Sequence, residues 1–208
     1  MKRINLILFI VFTLYNLYLL KQTLSNSFLL SGLIFMFLLA VLTFSLINTF
    51  KITTFSFSLL LLTISLHNLG TFGYYYNSPI PIPWDYLTHI LAISSLTIIF
   101  FNYFKIQLNK KSFSSKNIIL LITILLAMNG IGALVEINEY LSYAFFGLED
   151  GSFIFGGADY EKITITQEVI SKIEMHGGGW YDSMDDLLVN LYTSITTLIL
   201  CIIKFKFT

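Results

Sequence analysis

Residues 117–140 read NIILLITILLAMNGIGALVEINEY, and this stretch decides the fold. It carries no charge from Asn117 to Val135 and reaches its first ionisable groups at Glu136 and Glu139. Its length matches the roughly 20 apolar residues that a helix needs to cross the hydrocarbon of a bilayer. A segment in lipid must satisfy its own backbone hydrogen bonds, and the run lacks the strict alternation of a barrel strand, so it reads as a helix.

Working outward, five further runs share this character: Asn5–Leu20, Phe28–Phe50, Thr54–Tyr75, Asp85–Phe104 and Ser183–Ile203. The expected fold class is therefore all-α, a polytopic integral membrane helix bundle of about six transmembrane helices. Residues 1–208 read as a single transmembrane domain, with a long extracytoplasmic connection at 147–182 between the fifth and sixth helices. That connection holds Gly151, Gly156, Gly157 and the triplet Gly177, Gly178, Gly179, and Val169, Ile170 and Ile173 suggest a short amphipathic surface helix within it.

Composition agrees with a chain built for lipid. Of its 208 residues 56% are hydrophobic and 12% charged, and the mean hydropathy is +0.78, outside the range of soluble domains. A net charge of zero gives no basic surface to attract nucleic acid. The single cysteine, Cys201, allows neither an intrachain disulfide nor a cysteine-based metal cluster. Lys2 and Arg3 ahead of an apolar run imitate a secretory signal, yet Lys21, Gln22 and Thr23 follow in place of a small-residue cleavage site, so the run reads as a retained helix.

Orientation follows from the positive charges, which are held on the cytoplasmic side. With both termini cytoplasmic, nine of the 12 basic residues fall inside: Lys2, Arg3, Lys51, Lys105, Lys110, Lys111, Lys116, Lys204 and Lys206. All 12 acidic residues then fall at or beyond the outer ends of the helices. A multi-pass protein of the plasma (inner) membrane is the expected location.

Five acidic residues lie in or at the ends of spans: Asp85, Glu136, Glu139, Asp185 and Asp186. Each ionisable group inside a span is expensive and needs a partner or a purpose. Asp85 and His89 are four apart, Glu136 and Glu139 three apart, and Asp182, Asp186 and Asn190 repeat the four-residue interval, so each set lies along one helix face. A rise of about 1.5 Å per residue puts Glu136 roughly 28 Å along its helix and His89 and Asp186 only about 5 Å in from their outer ends. His67 falls at a similar but slightly deeper level, so four helices bring polar groups to the outer third of the membrane.

Several readings remain open at this point. Asp85 and Asp182 can act as helix caps. The carboxylates with His67, His89 and Asn190 can form a structural polar cluster that fixes helix register. They can serve a proton or ion path, although Ser65, Thr63, Ser94, Ser95 and Thr97 offer only hydroxyls deeper in the chain. They can also hold a divalent metal, since carboxylates with one or two imidazoles suit zinc, manganese or magnesium. No His-Glu-x-x-His, nucleophile elbow or phosphate loop is present, and His176 beside the glycine triplet reads as a solvated loop residue.

The series His67–Gly70, Tyr75 and Pro79, Asp85–His89, Glu136–Glu139, then Trp180, Asp182 and Asp186 resembles the pattern of the YjdF-like inner-membrane protein family. The chain departs from that pattern at Tyr86, where an arginine is common, in a longer loop before Trp180, and around Tyr192. A looser similarity to VanZ-like membrane proteins rests on Asp-x-x-x-His, a glutamate helix, and Asp186 with Asn190. These resemblances imply a multi-pass membrane protein with an outward polar site, and they assign no substrate.

The leading expectation is an outward-facing carboxylate and histidine site, metal-dependent and acting on a lipid or cell-envelope substrate. Its catalytic candidates are Asp85, His89, Glu136, Glu139, Asp182 and Asp186, its metal-ligand candidates His67, His89, Glu136, Glu139 and Asp186, and its orienting residue Asn190. The alternatives are a transporter or ion-binding protein using the same carboxylates and a structural or assembly protein.

Overall fold

In a computed structural model the chain is described over residues 3–24, 27–75, 77–109, 114–146 and 179–207, with side chains over 3–24, 29–75, 77–109, 114–141 and 183–206. Among the described residues six long helices follow one another: α1 (Arg3–Thr23), α2 (Ser27–Ser45), α3 (Thr54–Leu69), α4 (Trp84–Phe104), α5 (Ser115–Phe146) and α6 (Gly179–Phe207). Five are long and apolar enough to cross a membrane. The 19 residues of α2 add a shorter rod of about 28 Å, close to the roughly 30 Å of hydrocarbon. The fold is the all-α polytopic bundle that the apolar runs predict. The amphipathic segment near Val169, the glycines 151–178, Lys162, Lys172 and His176 lie outside the described residues.

The bundle has the polarity pattern of a protein in lipid. Large apolar side chains face outward along whole helices, among them Leu14, Leu62, Leu126, Leu134 and Leu200, each more than 45% exposed. In water such a surface would be an aggregation hazard, whereas lipid solvates it. Buried polar groups tie the helices together instead. The amide of Asn68 on α3 donates to the Asn16 side chain on α1 at 3.0 Å, and the Tyr15 hydroxyl donates to the Ser65 carbonyl at 3.1 Å.

Helices α1, α5 and α6 run past the apolar stretches at both ends, α6 starting at Gly179 within the expected connection, and two helix ends fall short of them for local reasons. The run Phe28–Phe50 stops being helical at Ser45. Asn48 to Lys51 make a turn in which Lys51 adopts φ 52°, and Thr53 then caps α3 by accepting from the Ser56 amide at 3.2 Å. At its other end, α3 opens into a wide π-type turn, Gly70–Tyr74, where Gly73 has φ 113°. That left-handed conformation suits glycine and ends the third run before Tyr75. The chain re-enters through Pro79, Pro81 and Pro83, and α4 starts at Trp84, whose indole N–H donates to the Leu66 carbonyl at 2.9 Å.

Packing places α4 at the centre, between α3 on one side and α5 and α6 on the other, while α1 and α2 pack on α3. Phe12, Met36, Ala40, Phe57 and Leu60 form the core of the α1–α2–α3 half. Phe101, Ile124, Met128 and Leu198 form a second core that closes α4, α5 and α6 at the end carrying Lys105, Lys116 and Lys204. The opposite end of those three helices is where the acidic residues meet.

Candidate functional site

The site begins with helix register. Asp85 is the second residue of α4 and His89 lies one turn on, and the pair meets with Oδ1 and Nε2 3.4 Å apart. Because Pro83 immediately precedes the helix, Asp85 is not its cap, and the capping interpretation fails there. It fails for Asp182 too, since α6 begins at Gly179 and Asp182 lies inside the first turn. Its side chain lies outside the described residues. The positive end of the α4 dipole still favours the Asp85 carboxylate in its first turn.

The approach of α6 brings the remaining groups to His89. The Asn190 Oδ1 lies 3.1 Å from His89 Nδ1, and Glu136 Oε1 of α5 lies 3.6 Å from that same nitrogen. Both ring nitrogens thus face oxygens, Nδ1 those of Asn190 and Glu136 and Nε2 that of Asp85. Asp186 completes the group: ligand-type atoms of Asp85, His89 and Asp186 all fall within 4.8 Å of one another. Asp186 is 1% exposed and Glu136 2%. The Asp186 carboxyl is a side-chain hydrogen-bond partner of Asp85, and among the described residues no lysine or arginine is ion-paired with Asp85, His89 or Asp186.

Asn190 reaches this point through a gap in α5. Gly132 lies one turn before Glu136, and a Cβ there would come within 2.7 Å of the Asn190 amide nitrogen. The missing side chain lets α6 insert its amide between α4 and α5. Glycine at that interval from a glutamate is visible in the sequence, but its purpose depends on which helix lies opposite.

Asp85, His89 and Asn190 of the cluster lie at the polar end of a cavity of about 380 Å³, with Glu136 and Asp186 buried behind them. His67, Tyr75, Thr88, Glu139 and Asn190 line it with Asp85 and His89, and apolar side chains of α2, α3, α4 and α5 line the rest. His67 stands beside the three-residue group, with its Nδ1 held by the Tyr75 hydroxyl at 2.6 Å. Tyr75 itself fits because position 70 is glycine: a Cβ there would overlap its ring. Thus Asp85, His89, Glu136, Asp186 and Asn190 converge directly, Glu139 and His67 join them around the cavity, and Asp185 is no part of it.

Two ligands on opposite sides of an ion stand about twice the ion–ligand distance apart, ~4.2 Å for magnesium and ~4.8 Å for calcium. The spread of the Asp85, His89 and Asp186 donors lies within that span, and a mixed carboxylate and imidazole set also suits zinc or manganese. Like-charged carboxylates in a low-dielectric setting require protons or a cation between them. The arrangement is therefore chemically able to hold a divalent ion.

A family model described as predicted membrane protein (DUF2238) matches residues 3–206. The chain belongs to that family. The match covers every helix of the bundle and every residue of the polar cluster, so the site lies within the family's own span. No curated protein and no solved structure matches the chain.

Proposed function

We propose that this DUF2238 member is a divalent-cation-dependent membrane protein, with its cation held by Asp85, His89 and Asp186 at the extracytoplasmic side of the plasma membrane. One observation carries the reading. Asp186 is sealed from solvent and brought against a second carboxylate, Asp85, and an imidazole, His89, with no lysine or arginine among the described residues ion-paired to any of the three. A bound cation would balance those charges, which no lysine or arginine among the described residues does. Similarity to the YjdF-like pattern fits the same placement.

Asn190 and Glu136 would act through His89, holding its ring and tautomer so that Nε2 faces the ion. Glu139, which lines the cavity, would exchange a proton with a bound molecule. A divalent ion at such a site polarises a phosphoryl or carbonyl oxygen or acidifies a bound water. The substrate we favour is a lipid or lipid-linked envelope molecule, because the cavity that the site faces is lined for the most part by apolar side chains of the helices.

The test is elemental analysis of detergent-purified protein. Wild type is expected to carry one divalent ion per chain, and Asp186→Asn and His89→Ala to lose it while keeping their helical content. Wild type without stoichiometric metal after dialysis against zinc, manganese and magnesium in turn would overturn the reading.

A further inference from the structure

The cavity extends well beyond the polar cluster. On α4 its lining runs from Asp85 to Leu96, a length of ~16 Å at the helical rise, which is close to the ~15 Å thickness of one leaflet's hydrocarbon. Chemistry changes along that length. Asp85, His89, His67 and Glu139 gather at one end, while Phe35, Leu39, Leu60, Ile93 and Leu96 cover the rest.

The side between α2 and α5 is also distinctive. Helix α2 packs on α1 and α3, and α5 packs on α4 and α6, so the extensive helix contacts leave these two walls unjoined. An opening between them would admit a molecule of the surrounding leaflet sideways, without crossing water. An apolar slot parallel to the lipid tails, capped by a charged centre, has the shape and polarity of a single lipid: tail along the slot and headgroup against the cap.

We infer that the slot between α2, α3 and α5 binds one acyl chain of a bilayer phospholipid, with its phosphodiester beside Asp85 and His89 at the slot's polar end. The headgroup half of this inference rests on the cation centre proposed above, because bare carboxylates would repel a phosphodiester. The tail half rests on the slot alone.

The test uses the full chain in vesicles of phosphatidylethanolamine and phosphatidylglycerol that carry a phospholipid with a photoreactive acyl chain. Crosslinks should concentrate on the segments Phe35–Thr43 and Ala92–Leu96, and excess unlabelled phosphatidylglycerol should abolish them. Inorganic phosphate should leave them unchanged, and competition by it would overturn the role of the tail. Leu39→Trp, or Leu96→Trp if the first does not fold, should lose the crosslinks and keep wild-type metal content. Leu134→Trp on the lipid-facing side of α5 should keep both. Crosslinks spread over exterior positions such as Leu14, Ile119 and Leu200 without excess in the slot would overturn the inference. A labelled slot in a metal-free wild type would sink the cation centre and leave the tail site standing, and a metal-bearing protein with an unlabelled slot would do the reverse.

Discussion

At the scale of single residues, the site depends on small groups that hold larger ones. The His89 ring is a useful ligand only if its ring hydrogen stays on Nδ1, and the Asn190 oxygen at 3.1 Å is the nearest group that fixes it. Asn190→Ala should therefore weaken cation binding by about 10–100-fold, the usual effect of removing a hydrogen bond behind a metal ligand. Isothermal titration of the metal-stripped protein measures this, and unchanged affinity would remove Asn190 from the orienting role. Gly132→Ala should act by the same route, because its methyl group would press on the Asn190 amide. Overpacking of this kind costs about 1–3 kcal/mol, so a variant with full stability and full affinity would show that Asn190 is free to move. The titratable residues were legible in the sequence because charge in an apolar run stands out. Gly132 was not, and Tyr75 stood out only as a member of the YjdF-like series, since their roles exist only once α6 lies against α5 and the turn after Gly70 folds back on His67.

At the scale of elements, the ends of α3 and α4 set the height of His67 relative to His89. The apolar runs placed both helices correctly, but hydropathy cannot show where a helix stops when the next residues are also apolar. The π-type turn at Gly70–Tyr74 and the stop at Ser45 arise from backbone geometry and side-chain hydrogen bonds, which periodicity does not report. Trp84 then locks the junction by bonding to the Leu66 carbonyl and packing edge-on against Tyr74 with ring centroids 5.0 Å apart. Trp84→Phe keeps most of the packing and deletes the bond, so it should cost about 0.6 kcal/mol, the average for an interhelical hydrogen bond in a membrane. Steric trapping or denaturation in mixed micelles would read this loss, and a cost of several kcal/mol would mean that the indole N–H does more than join two helices. Deeper in the bundle, Asn129 donates to Ser194 at 3.1 Å, and the Ser94 and Thr197 hydroxyls stand at the same separation. These pairs satisfy one another just above the apolar core of Phe101, Ile124, Met128 and Leu198. Their arrangement speaks for register between α4, α5 and α6 and against a continuous ion path, the main competing reading of the carboxylates.

At the scale of the whole molecule, the chain sorts its charges between two ends. Arg3, Lys51, Lys105, Lys116, Lys204 and Lys206 gather at one, and the carboxylate and imidazole cluster lies toward the other. The amino-acid sequence by itself makes this separation legible, because it needs only the number of spans and the identity of the residues between them. Positive loops stay in the cytoplasm, so the cluster should face outward, and a site facing inward would meet a different set of substrates altogether. The chain offers a direct test, since Cys201 is its only cysteine. In a Cys201→Ser background, Asn77→Cys reports on the exposed turn at the cluster's end and Lys116→Cys on the exposed start of α5 at the other. A membrane-impermeant maleimide applied to sealed right-side-out vesicles should label Asn77→Cys at once and Lys116→Cys only after permeabilisation. The reverse order would invert the protein, and the lipid reached through the slot would then belong to the cytoplasmic leaflet.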